Sequence, residues 1–374
     1  MRRFAIIFII LPFVASCDRV FLGEDEPIVP LEENLHAPPA LNDGWDVSDL
    51  ATEQIDVAQI HRLVTFIQEN PNNIHSMLII RNNKLVLEAY FTGWRRDRLH
   101  ALRSVSKTFM ATFTGIAIDK GYFTADQSIR FLLPQYSGLI DEKKREIRLR
   151  HLLTMTSGIS WDEKTYEGDD LRNDETAFDR SDRRLNYLFA KEMAFTPGDE
   201  FEYNSALPVL ESVIIGEATG MHVIDFAGEN FFKPLGIDNY FWRTDRNDGY
   251  VSAIGPLFLC PRDMAKLGQL YLDSGMWKGK RILSKYWVSA ATTTFRGDES
   301  TGDGYGFHWW IGRFNVSGKT MKIYFARGSG GQYIFVAPAL NAVVVFTSGN
   351  YPPLNQSAPV GMLVNSILPA MLTE

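Results

Sequence analysis

Ser104 and Lys107 stand three residues apart in the run Arg103-Ser104-Val105-Ser106-Lys107-Thr108-Phe109. On a helix, residues i and i+3 share one face, so this spacing lets the Lys107 amine reach the Ser104 hydroxyl. A serine hydroxyl is a weak nucleophile at neutral pH and needs an adjacent base. A lysine amine fills that role when burial and neighbouring groups bring its pKa below the free value of about 10.4. Val105, Phe109, Met110 and Phe113 are apolar and favour such burial. A serine at a helix start also has its Oγ near free backbone N–H groups and the positive end of the helix dipole. A second constellation, Phe201-Glu202-Tyr203-Asn204-Ser205, follows Pro197-Gly198. A phenol at Tyr203 can relay a proton or, when ionised, act as the base. A third, Arg327-Gly328-Ser329-Gly330-Gly331-Gln332, leads into the apolar run Tyr333-Ile334-Phe335-Val336. Its glycines let a ligand approach the backbone closely. A strand edge there can offer an N–H to an oxyanion, paired with the N–H of Ser104. The chemistry implied is acyl transfer through a serine.

Each motif alone also has a structural explanation. S-x-x-K, which occurs once in the chain, fits an N-capping serine followed by a solvated lysine. The tyrosine fits a loop packing residue, and the glycines fit a flexible connection. Their weight comes from their order along the chain and from the elements that carry them.

Apolar residues at Val57, Ile60, Leu63, Val64 and Ile67 predict an amphipathic helix over 57–70. Residues 77–80 and 85–87 flank Asn82-Asn83 and predict a β-hairpin. Further helices are expected over 104–120, stopped by Gly121, over 208–218, ended by Gly220, and over 263–273. The last hundred residues turn to strand character at 305–311, 321–326, 332–337 and 342–347. Strands at both ends with helices between predict an α+β domain. Its central antiparallel sheet would be built from both ends of the chain and flanked by helices, with a helical region inserted between about 125 and 256. The chain is long enough for two domains, but no linker-like composition divides it.

Composition narrows the classes. The chain has 374 residues, 45% hydrophobic and 22% charged, ordinary values for a globular protein with a substantial core. Lys plus Arg number 38 against 45 Asp plus Glu, for a net charge of −7. That balance argues against nucleic acid as a partner. None of the 7 histidines forms an H-x-x-x-H pair and the 2 cysteines, Cys17 and Cys260, make no framework, so neither a metal nor another cofactor is expected. No G-x-S-x-G is present, which disfavours an α/β-hydrolase elbow.

The N-terminus reads as an address. Arg2-Arg3 precedes an apolar run over 4–14, too short to span a bilayer but matched to a secretory signal. Val14-Ala15-Ser16-Cys17 resembles the lipobox of bacterial lipoproteins, which implies cleavage after residue 16 and lipid on Cys17. Several acyl chains at about 0.8 kcal/mol per buried CH₂ would hold the protein on a membrane. The expected location is the bacterial cell envelope, with the domain outside the cytoplasm, and Asp18 favours the inner membrane. Residues 17–43 are acidic and Pro-bearing and read as a tether; residues 44–374 form the domain. Cys260 is left unpaired.

In this order and spacing the three constellations resemble the serine hydrolases related to class C β-lactamases and penicillin-binding proteins. The likeness extends from about Gly44 to Pro353 and includes His151-Leu152-Leu153-Thr154-Met155-Thr156-Ser157-Gly158. It implies that Ser104 is acylated, that Lys107 is its basic partner, and that Tyr203 is the tyrosine of the second motif. Oxyanion donors would be the N–H groups of Ser104 and Gln332, and Ser205, Ser329, Gly330 and Gly331 would contact substrate. Two departures stand out. Ser205 occupies the place of an asparagine, and Ser329 that of a lysine or histidine that helps bind a substrate carboxylate. Arg327 is two residues off that register, and Gly318-Lys319-Thr320 is a decoy because Met321 follows it. This variant is closer to the esterase and oligoamide-hydrolase branch, acting on small-molecule or peptide-like esters or amides. The alternatives are a β-lactamase or D-alanyl-D-alanine carboxypeptidase, and a non-catalytic lipoprotein binding peptidoglycan or a partner. Specificity is expected from residues 158–195 and from Phe307-His308-Trp309-Trp310.

Overall fold

The computed structural model describes residues 36–70, 72–166, 169–245, 248–252 and 255–372. Cys17 and most of the expected tether lie outside them. The first strand, β1 (Asp46–Val47), is followed by the helix α1 (Val57–Glu69), capped by Asp56, whose side chain accepts the Gln59 N–H at 3.0 Å. The apolar stripe Ile60, Leu63, Val64 and Ile67 is buried as its spacing requires. The hairpin β2 (Ile74–Arg81) and β3 (Lys84–Tyr90) turns at Asn82 and Asn83, both left-handed at φ 49° and 65°. A two-residue strand, β4 (His100–Ala101), leads into α2 (Val105–Asp119), the helix of the S-x-x-K motif.

The inserted region carries α3 (Ile129–Leu132), α4 (Leu149–Leu153), α5 (Asp174–Asp179), α6 (Arg184–Ala190), α7 (Ala206–Thr219) and α8 (Val223–Ala227). It is not purely helical. β5 (Tyr240–Trp242) and β6 (Leu257–Leu259) join β4 in a small antiparallel sheet ordered β4-β6-β5. Beyond it lie α9 (Pro261–Leu272), the hairpin β7 (Met276–Trp277) and β8 (Lys280–Arg281), and α10 (Lys285–Ala291). The C-terminal part supplies β9 (Gly304–Tyr305), β10 (Trp310–Val316), β11 (Lys319–Gly328), β12 (Gln332–Ala337) and β13 (Ala342–Ser348), then α11 (Ala358–Met362) and α12 (Leu368–Ala370).

The main sheet has eight strands in the order β1-β3-β2-β13-β12-β11-β10-β9, so both ends of the chain build it. Its expected antiparallel character needs one correction: β1 runs parallel to β3, which makes the sheet mixed. β12 and β13 are buried on both faces, which is why they read as unbroken apolar runs. Ile334, Val336, Val343 and Val345 face the core shared with α2, α7 and α9. Tyr333, Phe335, Val344 and Phe346 face the core shared with α1 and the C-terminal helices.

The strand expected over 305–311 is interrupted. Residues 306–309 leave the ladder, and His308 takes φ 54°. Tertiary bonds outcompete strand pairing there: the His308 N–H donates to the Leu153 carbonyl at 3.1 Å, and its carbonyl accepts from Thr108 Oγ1 at 2.7 Å. Its ring meets Glu211 of α7 at 2.8 Å and the Tyr305 hydroxyl at 3.2 Å. Thr114 of α2 donates to the second Glu211 oxygen at 3.1 Å. This buried network ties α2, α7 and the edge of the sheet together. Pro39 and Asp43, at the end of the acidic segment, are held on the domain by Arg262.

Removing one partner of a buried, hydrogen-bonded pair leaves the others unsatisfied and costs about 3–5 kcal/mol. Glu211→Ala is therefore expected to lower the unfolding free energy by an amount of that order, seen as a lower urea midpoint at unchanged slope. An unchanged midpoint contradicts the role given to this network.

Candidate active site

Arg103 takes φ 51°, a left-handed turn that brings Ser104 out of β4 and onto the start of α2. Its guanidinium is fixed there: Arg103 Nε donates to the Tyr351 hydroxyl at 2.9 Å and lies 5.1 Å from that ring. Ser104 is the N-cap residue of α2, but its side chain caps nothing. The hydroxyl is instead available to Lys107, whose Nζ donates to Ser104 Oγ at 3.0 Å. Lys107 is buried, 7% exposed, as the apolar flanks require.

Lys107 Nζ sits 5.1 Å from the centroid of the Tyr203 ring. Tyr203 stacks on Trp310 at 6.2 Å between centroids, and the Arg327 guanidinium lies 3.8 Å from the Trp310 ring. Arg327 thus backs the ring that supports Tyr203, despite its register. Burial pushes the Lys107 amine down, but Tyr203, Glu175 and Glu163 outweigh burial and hold it above its ordinary value. That direction is opposite to the lowered pKa that a lone lysine base needs.

Neither carboxylate stood out from the sequence. Glu163 accepts the Ser205 N–H at 2.8 Å and the Trp161 Nε1–H at 2.7 Å on one oxygen, and the Ser205 hydroxyl at 3.0 Å on the other. Ser205, 2% exposed, therefore has its hydroxyl proton committed to Glu163 rather than free for a substrate. Burial raises the Glu175 carboxyl above the usual range, against the opposing pull of Lys107.

The glycine segment forms the turn between β11 and β12. A Cβ on Gly328 would lie 2.5 Å from the Leu102 carbonyl, so only hydrogen lets β11 reach the chain before Ser104. Gly331 has φ 88°, and its carbonyl, like that of Gly330, accepts from Ser348 Oγ. The Gln332 side chain bridges to the Ser348 backbone, donating to its carbonyl at 2.5 Å and accepting its N–H at 3.1 Å. Gly318-Lys319-Thr320 lies in the β10–β11 hairpin, and Thr320 pairs with Asn315 in that ladder.

Ser104, Lys107, Ser205 and Ser329 line one cavity of about 510 Å³ with Arg103, Glu175 and Tyr351, none of the last three anticipated. Met110, Pro208, Val209, Trp242 and Val251 form its apolar wall. Tyr203, Gly330, Gly331 and Gln332 are not among its lining residues; the two glycines belong to the turn and Gln332 opens β12. Among the described residues, no cluster of three or more His, Cys, Asp or Glu side chains could hold a metal. The arrangement offers a hydroxyl polarised by an ammonium, a phenol that can exchange its proton, and an apolar recess for the group being transferred.

A family model described as Beta-lactamase matches residues 74–363. The chain is 25% identical over 324 residues to the 6-aminohexanoate-dimer hydrolase of Paenarthrobacter ureafaciens, covering 79% of each. It is 30% identical over 179 residues to the esterase EstB of Burkholderia gladioli, 45% of this chain and 42% of that one. Among solved structures, the octameric penicillin-binding protein homologue from Pyrococcus abyssi superimposes with a TM-score of 0.62 at 20% identity, over 83% of this chain and 77% of that one. The α+β fold is thus of the β-lactamase and transpeptidase type.

Because its folded pKa is raised, Glu175 contributes stability that is fully present below the unfolded value of 4.5 and lost as pH rises through the higher folded value. Glu175→Gln escapes that loss. Its melting temperature relative to wild type is expected to rise by a few degrees between pH 4 and pH 8. A difference that does not grow with pH contradicts the burial of this carboxyl.

Proposed function

The chain belongs to the Beta-lactamase family of serine hydrolases, and from that premise we propose that it cleaves an ester or amide through an acyl-enzyme on Ser104. The observation that carries this reading is the 3.0 Å hydrogen bond from buried Lys107 to Ser104 Oγ, with Tyr203 against the same amine. With the Lys107–Tyr203 pair one proton short of ammonium plus phenol, the Ser104 proton passes to the pair as Oγ attacks the carbonyl carbon. The N–H groups of Ser104 and Gln332 receive the oxyanion. Collapse expels the alcohol or amine, which takes the proton back from the pair. Water then attacks the acyl carbonyl, surrendering a proton to the pair; collapse releases the acid, and the pair returns that proton to Ser104 Oγ.

The substrate class follows from the same residues. The apolar wall accepts an acyl group, and Ser329 stands where a carboxylate-binding lysine or histidine would be. That favours esters and simple amides, as the names of the esterase and dimer-hydrolase relatives also suggest, over penicillins and D-alanyl peptides. The lipobox-like run Val14-Ala15-Ser16-Cys17 supports attachment to a membrane through lipid on Cys17. Among the described residues, no single helix is long and apolar enough to cross a membrane.

A fluorophosphonate probe is expected to label the wild type and not Ser104→Ala; equal labelling of both overturns the reading. Acid–base groups contribute about 10²–10⁴-fold, so Lys107→Ala and Tyr203→Phe should each lower kcat/KM on short-chain nitrophenyl esters by a factor in that range. A chromogenic cephalosporin turned over faster than these esters would move the assignment to a β-lactamase. Cys17→Ser is expected to shift the protein from the membrane to the soluble fraction, and an unchanged distribution contradicts the anchor.

A further inference from the structure

Glu163 lies outside all three sequence motifs, 42 residues before Ser205, yet it is gripped on every side that faces the site. Its carboxylate receives three N–H or O–H donors, two of them from Ser205. The Glu163 carbonyl accepts from Asn173 Nδ2 at 3.2 Å. Trp161, which anchors one carboxylate oxygen, is itself 4% exposed and edge-on to Phe178 and Tyr187. Ser205 is the N-cap residue of α7 and makes no side-chain cap of its own. A carboxylate on its N–H therefore caps α7 from outside, where the positive end of the helix dipole favours negative charge.

The consequence reaches the reacting groups. Tyr203 is two residues before Ser205, on the extended segment that enters α7, and its ring must lie against Lys107. We infer that Glu163 is a positioning residue of the Ser104 site: by clamping the N–H and hydroxyl of Ser205 it fixes the segment that holds Tyr203 against Lys107. This inference rests on the hydrolase reading above and deepens it. It also explains the departure at the second motif, because Ser205 binds a carboxylate supplied by the chain itself.

Glu163 acts on charge as well as on geometry. The charged and titratable groups around Lys107 and Tyr203 are Glu163 from its loop, Glu175 from α5, with Asp179 behind it, Tyr305 from β9, Arg327 from β11 and Arg103 before α2. Glu163 is one of the groups that hold the Lys107 amine up, so removing its charge lets the site give up its proton at lower pH. A residue that merely stabilised the fold would leave that titration in place.

The test is the pH profile of kcat/KM on a nitrophenyl ester, with the full-length chain and active sites counted by fluorophosphonate labelling at Ser104. Glu163→Gln is expected to move the rising limb to lower pH by several tenths of a unit and to lower the plateau about ten-fold, the scale of a small misplacement of a reacting group. Glu163→Asp keeps the charge but shortens the reach, so its limb should stay while its plateau falls. Ser205→Ala should resemble the aspartate variant. If Glu163→Gln fails to fold, these two variants carry the test. A limb and plateau equal to wild type per labelled site, in Glu163→Gln or in both other variants, overturns the inference. A wild type that is not labelled at Ser104 overturns the hydrolase reading itself.

Discussion

An ammonium buried one helical turn from a serine hydroxyl is the constraint around which this structure is arranged. Taking such a charge out of water is costly unless acceptors and opposite charge replace the lost hydration. Lys107 finds them in Ser104 Oγ, the Tyr203 phenol and the negative field of Glu175 and Glu163. Those groups come from α2, the approach to α7, α5 and the loop before it. No single element can meet the requirement alone. Burial and counter-charge act in opposite directions on the amine, and counter-charge wins. In the proposed reaction Ser104 is accordingly served by Lys107 together with Tyr203 rather than by a neutral lysine alone.

The rest of the fold brings these groups to one place. α2 is enclosed between the sheet and α7, and the Glu211–His308 contact with Thr114 joins the three. That network explains why the chain abandons strand geometry over 306–309 just before Trp310, whose ring supports Tyr203. On the other side, Gly328 lets β11 close on the turn that presents Ser104. The Ser348–Gln332 bonds hold β12 and β13 in register beside the glycine turn. Burial holds the Glu175 carboxyl above its ordinary range against the pull of Lys107, the usual relation between stability and an electrostatically tuned site.

What was legible in the sequence was local. The i, i+3 spacing of Ser104 and Lys107, the α1 stripe, the Asn82-Asn83 turn and the apolar β12 and β13 runs each follow from a short-range rule. The fold class followed because the order of those elements is itself in the chain. Glu163 and Glu175 were not legible. They lie in a loop and a six-residue helix without periodic pattern, and their meaning depends on contacts with residues 30 to 70 positions away. Arg103 and Tyr351 meet across 248 residues for the same reason. The interruption after β9 was missed because aromatic residues favour a strand there, and only the tertiary demand on His308 overrides that preference. β1 was missed because two residues carry no pattern, and its parallel pairing makes the sheet mixed.

The most direct measurement is the mass of the enzyme quenched with acid during turnover of a nitrophenyl ester, followed by peptide mapping. An acyl-enzyme mechanism with Ser104 as nucleophile predicts one acyl adduct per chain, located on Ser104. Turnover with no adduct on Ser104, or an adduct carried by another residue, would contradict it.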